Sequence, residues 1–180
     1  MVAHGIMFHH FHSDQHPPGP GSIDTEELDD LITWLAQTNT LLPAQDFFRL
    51  ATTDQLPEDA VCLTFDDSLL CQFDVALPVL DAHQTSAFFF VYSSAFTDTP
   101  DPLELYRHFR VTKYETFHDF FQDFIVKTEQ VAPNLVATAL KNFNPKTYLN
   151  TLLYYSDEER TFRFLGDWSL THQHYSFIMH

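Results

Sequence analysis

The six residues Ala60-Val61-Cys62-Leu63-Thr64-Phe65 constrain this chain more than any other stretch. Five of the six are apolar, and polar and apolar residues do not alternate. A run this short and this uniformly apolar suits a strand covered on both faces, as strands are inside parallel sheets. Parallel strands cannot be joined by tight turns, so each needs a crossover, usually a helix. The run therefore predicts helices on either side of it.

The flanking sequence supplies them. Gly5 to Phe11 is an apolar run ending in His9 and His10, and reads as a first strand. His12 to Ser22, punctuated by Pro17, Pro18, Gly19, Pro20 and Gly21, reads as a loop. Asp24 or Thr25 then opens a helix, with Glu26 and Glu27 in the first turn, where the helix dipole favours acids. Leu28, Leu31, Ile32 and Leu35 give it one apolar face. A connection through Pro43 and Pro57 leads to Ala60. From Leu69 to about His83 the period is helical, with Leu70, Phe73, Leu77 and Leu80 as the expected apolar stripe and Pro78 as a kink or last-turn marker. Ser86 to Tyr92 is a Phe-rich strand, followed by a loop with Pro100 and Pro102. Strand, helix, strand, helix, strand predicts a parallel α/β sheet.

Beyond Leu103 the patterning turns helical, dividing the chain into 1–102 and a mainly helical 103–180. Phe117, Phe120, Phe121 and Phe124 form an aromatic stripe expected to be core. Three strands leave a small sheet whose edges must be covered or paired. The segment Tyr175 to His180 reads as a helix without a stop signal, so the chain is expected to end before its fold does.

The 180 residues suffice for one domain with a real core. With 9 Lys+Arg against 25 Asp+Glu the net charge is -16, which repels phosphate backbones and anionic lipid heads. Nucleic acid and membrane surfaces are therefore excluded as expected partners. No signal peptide or membrane-spanning run is visible, so a soluble cytoplasmic protein is expected. Cys62 and Cys71 form no disulfide framework and read as buried thiols.

The chemistry gathers where the central run stops, at Asp66 and Asp67. In parallel α/β folds ligands bind at the carboxyl ends of strands. Either Asp67 or Ser68 could simply cap the helix that follows. A cap accounts for one acid and leaves the second unexplained.

The stretch Val61-Cys62-Leu63-Thr64-Phe65-Asp66-Asp67-Ser68 resembles the first motif of the polysaccharide deacetylase family, a buried strand ending in Thr-Phe-Asp-Asp-Gly. Ala76-Leu77-Pro78-Val79-Leu80 and then Ser86-Ala87-Phe88-Phe89-Phe90-Val91 match the family's helix and its Ala-Thr-Phe-Phe strand in order and spacing, so the resemblance covers about Ala60 to Phe96. It implies the first part of an irregular (β/α) barrel, incomplete here, with a helical insertion after the third strand. It further implies Asp66 as general base, Asp67 as ligand of a divalent metal, zinc, and an acetylated sugar polymer as substrate. Ser68 stands where the family has Gly, and would be strained if that position requires positive φ.

The family completes its metal site with His-Ser/Thr-x-x-His after the Phe-rich strand and uses a later Leu-x-His. No histidine pair four apart occurs after Phe96. Leu170-Thr171-His172 spells the later motif but precedes a helical-looking tail, and is read as chance. His12-Ser13-Asp14-Gln15-His16 fits the first pattern literally, though it lies before the Asp pair. His9, His10, His12 and His16 are accordingly the residues expected to line the site. Tyr106-Arg107-His108-Phe109-Arg110 is a cation cluster that would either pair with the chain's own acids or hold an anionic sugar. Three functions follow: a deacetylase-like hydrolase, inactive or nearly so if truncated; a non-catalytic carbohydrate-binding or assembly module on the same fold; and an unrelated metal hydrolase using the His12–His16 loop with Asp67.

Overall fold

The computed structural model describes residues 2–98, 102–168, 170 and 178. The chain divides into two compact units, Met1–Asp101 and Pro102–His180.

The first unit is built on a parallel sheet, and the central apolar run is its middle strand. The strands are β1 (His4–Phe8), β2 (Thr40–Leu41), β3 (Ala60–Phe65) and β4 (Ala87–Phe89). All three partners pair with β3, and all in parallel. β1 runs along one edge, with Gly5 opposite Cys62 and Phe8 opposite Phe65. β2 and β4 share the other edge: β2 lies against Ala60 and Val61, β4 against Leu63 to Phe65. Every residue of β3 but Thr64 is buried, as the unbroken apolar run requires. Among the described residues the sheet stays open, so the expected barrel is not closed.

Helix α1 (Thr25–Thr38) starts where expected. Asp24 accepts from the Glu27 N–H at 2.9 Å while Glu27 accepts from the Asp24 N–H at 3.0 Å, a reciprocal capping box. Its buried residues Leu28, Ile32 and Leu35 join Val61, Leu63 and Leu80 in one core. Cys62 and Cys71 are buried, unbridged thiols; burial pushes the Cys62 thiol up, which keeps it protonated.

Four expectations need correction. The stretch read as a connection holds both β2 and a helix, α2 (Ala44–Thr52). The sheet therefore has four strands where three were expected. The outer strands are shorter than their apolar runs, because pairing with β3 stops at Phe8 and Phe89. The fourth concerns the helix after Asp67. Leu70 and Phe73 face solvent, while the buried side chains are Cys71, Gln72, Val75, Ala76, Val79 and Leu80. The cause is a π-helical turn at Gln72–Ala76, followed by α3 (Leu77–Ala82). A turn closed by i→i+5 bonds takes up about one extra residue, so the buried positions recur every four rather than at 3.6. Pro78 follows the π turn directly, inside a helical run that is continuous over 70–82.

The second unit is helical: α4 (Leu103–Lys113), α5 (Phe117–Val131), α6 (Leu135–Ala139) and α7 (Asp157–Trp168). The stripe on α5 is core, as expected. Phe120 and Phe124 are buried with Tyr106, Phe162 and Leu165, and Phe117 and Phe121 pack against them. Phe162 meets Phe117, Phe120 and Phe124 edge-on at 5.9, 5.2 and 4.9 Å between centroids, the geometry aromatic quadrupoles favour. No helix among the described residues is long and apolar enough to cross a membrane.

Candidate functional site

The site is assembled by the ends of β1 and β3. The ladder between them closes with the Asp66 N–H donating to the Phe8 carbonyl at 3.2 Å. The chain then turns sharply: Asp67 has φ 75° and Ser68 φ 54°, two successive left-handed residues with side chains. Each such residue costs about 1–2 kcal/mol relative to glycine's free choice, so the turn stores strain. Ser68 does need positive φ, and it is strained as expected of a serine standing where glycine would be at ease.

Neither Asp67 nor Ser68 caps the helix that follows; Gln72, in its first turn, takes that part. The Ser68 hydroxyl donates to the Phe90 carbonyl at 3.4 Å, and the Leu69 N–H donates to the Gln72 side chain at 3.3 Å. The two carboxylates instead meet a histidine. His9 Nε2 lies 3.9 Å from Asp66 Oδ2 and 3.9 Å from Asp67 Oδ2. That distance is beyond a hydrogen bond and within ion-pair range. Asp67 is the more enclosed carboxylate, its side chain 13% exposed against 31% for Asp66. Adjacent acids on an extended strand would point to opposite sides. The left-handed turn at Asp67 lets both reach one ring.

The other histidines divide among different neighbours. His10 lies parallel to His9, with ring centroids 6.4 Å apart, and so adjoins the pair. His12 Nδ1 is 3.1 Å from the Ser22 hydroxyl, and His16 Nε2 is 2.9 Å from Asp74 Oδ2. His12 also belongs to a trio with Asp24 and Glu27 whose donor atoms lie within 4.8 Å of one another. The two acids of that trio are the α1 capping box, which accounts for their approach. The structure thus brings His9 to Asp66 and Asp67, and seats His12 and His16 on other partners.

Gln72 is the residue that sequence reasoning missed. It is 1% exposed, and its Nε2 donates to the His9 carbonyl at 2.8 Å and to the Asp66 carbonyl. No sequence signal marked it, because the four-residue spacing that sets it on one face with the buried Ala76 and Leu80 exists only through the π turn.

In the second unit Arg110 places its guanidinium 5.6, 5.8 and 5.6 Å from the Phe117, Phe120 and Phe162 rings, a cation–π seat. Burial holds the Arg107 guanidinium below its usual value, with Glu104 acting in the opposite direction. Thr171 and His172 of the Leu-Thr-His sequence, and residues 175–177, 179 and 180 of the tail, lie outside the described residues.

No protein-family model and no curated protein matches the chain. Among solved structures, IcaB from Ammonifex degensii aligns at 27% identity and a TM-score of 0.41, covering 52% of this chain and 38% of its own. A de-N-acetylase from Aggregatibacter actinomycetemcomitans aligns at 25% identity and a TM-score of 0.38, covering 55% of this chain and 38% of its own. The Streptococcus pyogenes deacetylase PplD, solved with acetate, aligns at 20% identity and a TM-score of 0.38, covering 89% of this chain and 79% of its own. The chain spans less than two-fifths of the length of the first two. Two of these three proteins are deacetylases by name.

Proposed function

We propose that the carboxyl end of β3 is the first part of a divalent-metal site for hydrolysing acetyl groups on a sugar polymer. The observation that carries this reading is the adjacent pair Asp66 and Asp67, set at the end of a buried parallel strand and facing the same imidazole, that of His9. Asp66, the more open acid, acts as general base and takes a proton from the attacking water. Asp67, the more enclosed, is the metal ligand, and His9 offers a nitrogen donor beside it. Carboxylate oxygen and imidazole nitrogen are both donor types that zinc accepts. When bound, the cation supplies polarisation of the acetyl carbonyl and of the water.

A catalytic zinc takes three protein ligands, and Asp67 with His9 makes two. Little acetate release is therefore expected from this chain alone, and metal binding is the sharper test. Calorimetric titration of the full chain with zinc should show weak binding that Asp67→Ala abolishes. Binding that is indifferent to Asp67→Ala removes the ligand assignment. Substantial zinc-dependent acetate release from an acetylated sugar polymer, lost in Asp66→Asn, would show that the chain already holds a complete site.

A further inference from the structure

We infer that Gln72 is the positioning residue of this site: its side-chain amide holds the strained Asp67-Ser68 turn at both ends and ties it to the His9 end of β1. The inference rests on reading Asp66 and Asp67 as the site. Its physical content, the shape of the turn, can be measured without any activity.

All the polar atoms of Gln72 are engaged. Nε2 donates to the carbonyls of His9, at 2.8 Å, and Asp66, and Oε1 accepts from the Leu69 N–H at 3.3 Å. The orientation of the amide is forced by chemistry, since a carbonyl can only accept and a backbone N–H can only donate. The Asp66 carbonyl and the Leu69 N–H flank Asp67 and Ser68, the two residues with positive φ. One side chain therefore brackets the strained pair from before and after. Its third bond reaches the residue whose ring lies 3.9 Å from both carboxylates.

The location suits the task. The β1–β3 ladder runs to Phe8 and Phe65, and the Asp66 N–H donates to the Phe8 carbonyl at its end, so the strand ends need a further link beyond that point. Gln72 supplies that link from the opening of the π-helical turn, which carries its side chain inward between the strand ends. Buried amides with every bond made specify one arrangement of their neighbours, because any shift leaves a polar atom unpaired.

The test is NMR of the labelled full chain without metal, comparing the parent with Gln72→Met, which keeps length and volume and removes the three bonds. The one-bond Cα–Hα couplings of Asp67 and Ser68 report the sign of φ. Loss of the positive-φ signature at both residues, a displaced His9 ring signal and unchanged β3 amides are expected. A Gln72→Met chain that is less stable yet keeps both couplings and the His9 signal would mean that Gln72 contributes stability only, and overturns the inference. Should Gln72→Met fail to fold, Gln72→Glu keeps the acceptor for Leu69 and regains one donor when neutral. Its couplings should then approach the parent's as pH falls, and parent-like couplings at every pH would overturn the inference. Manganese added to the parent separates the two readings. Broadening at Asp67 and His9 supports the metal site, and none counts against that site while the coupling result on Gln72 stands.

Discussion

The two units bury their apolar residues in different ways. In the first, one strand is the axis: Val61, Leu63 and Phe65 meet Leu28, Ile32 and Leu80, and everything packs on β3. In the second, no single element dominates, and the centre is a cluster of rings from α5 and α7 with Arg110 over it. A core organised along a strand has an end, and whatever sits at that end is presented in a defined direction. A core of interlocking rings closes on itself. This is why the first unit sets two acids and an imidazole at one point, while in the second Arg110 lies on phenyl faces.

The contrast can be broken by truncating each centre. Phe124→Ala removes a ring held edge-on by Phe162 and should cost about 3–5 kcal/mol, while Leu63→Ala on β3 should cost about 2–5 kcal/mol. Denaturant unfolding followed by probes in each unit checks both. If Phe124→Ala unsettles β3 as much as α5, the two cores are not energetically separate. A smaller effect of opposite sign belongs to the site: Ser68→Gly should raise stability by about 0.5–1 kcal/mol, by relieving the left-handed serine at the expense of its bond to Phe90. No gain in the unfolding midpoint would mean that the turn is not strained.

The smallest effect is confined to the second unit and to extremes of pH. Burial, together with the hydrogen bond it donates to Asp123, pushes the Tyr114 hydroxyl up to about 12. A raised folded value favours the neutral phenol. The stability it contributes is complete below the unfolded value near 10 and is lost as pH rises from there through about 12. The same bond holds the Asp123 carboxyl below the usual carboxylate range, so its contribution is lost as pH falls through that lowered value. Tyr114→Phe should flatten the alkaline step in a stability–pH profile, and an unchanged step assigns it to another group.

Much of this was readable beforehand, for identifiable reasons. β3 announced itself because a strand covered on both faces cannot hide its composition. Asp24 or Thr25, followed by Glu26 and Glu27, marked the start of α1 because caps and the helix dipole favour those residue types there. β2 and α2 were not readable: two residues make no pattern, and α2 buries only Ala44 and starts without a side-chain cap. The face of the helix after Asp67 was misread because the period used, 3.6, does not hold through a π turn. Of the site, the acid pair was legible from its place at a strand end, and so was the possibility of His9. Gln72 was not, since a glutamine reads as surface until the wide turn carrying it inward is known.

That wide turn also has a consequence for chain length. Removing one residue between Phe73 and Ala76 would let the helix close as α while Val79 and Leu80 keep their places in the core. Gln72 would keep its face as well, because seven residues of α-helix would then separate it from Leu80, about 700° and so within about 20° of two full turns. A single-codon deletion there leaves the fold standing and the amide beside the strand ends. The site depends on the identity of Gln72 and tolerates a change in the count of residues after it.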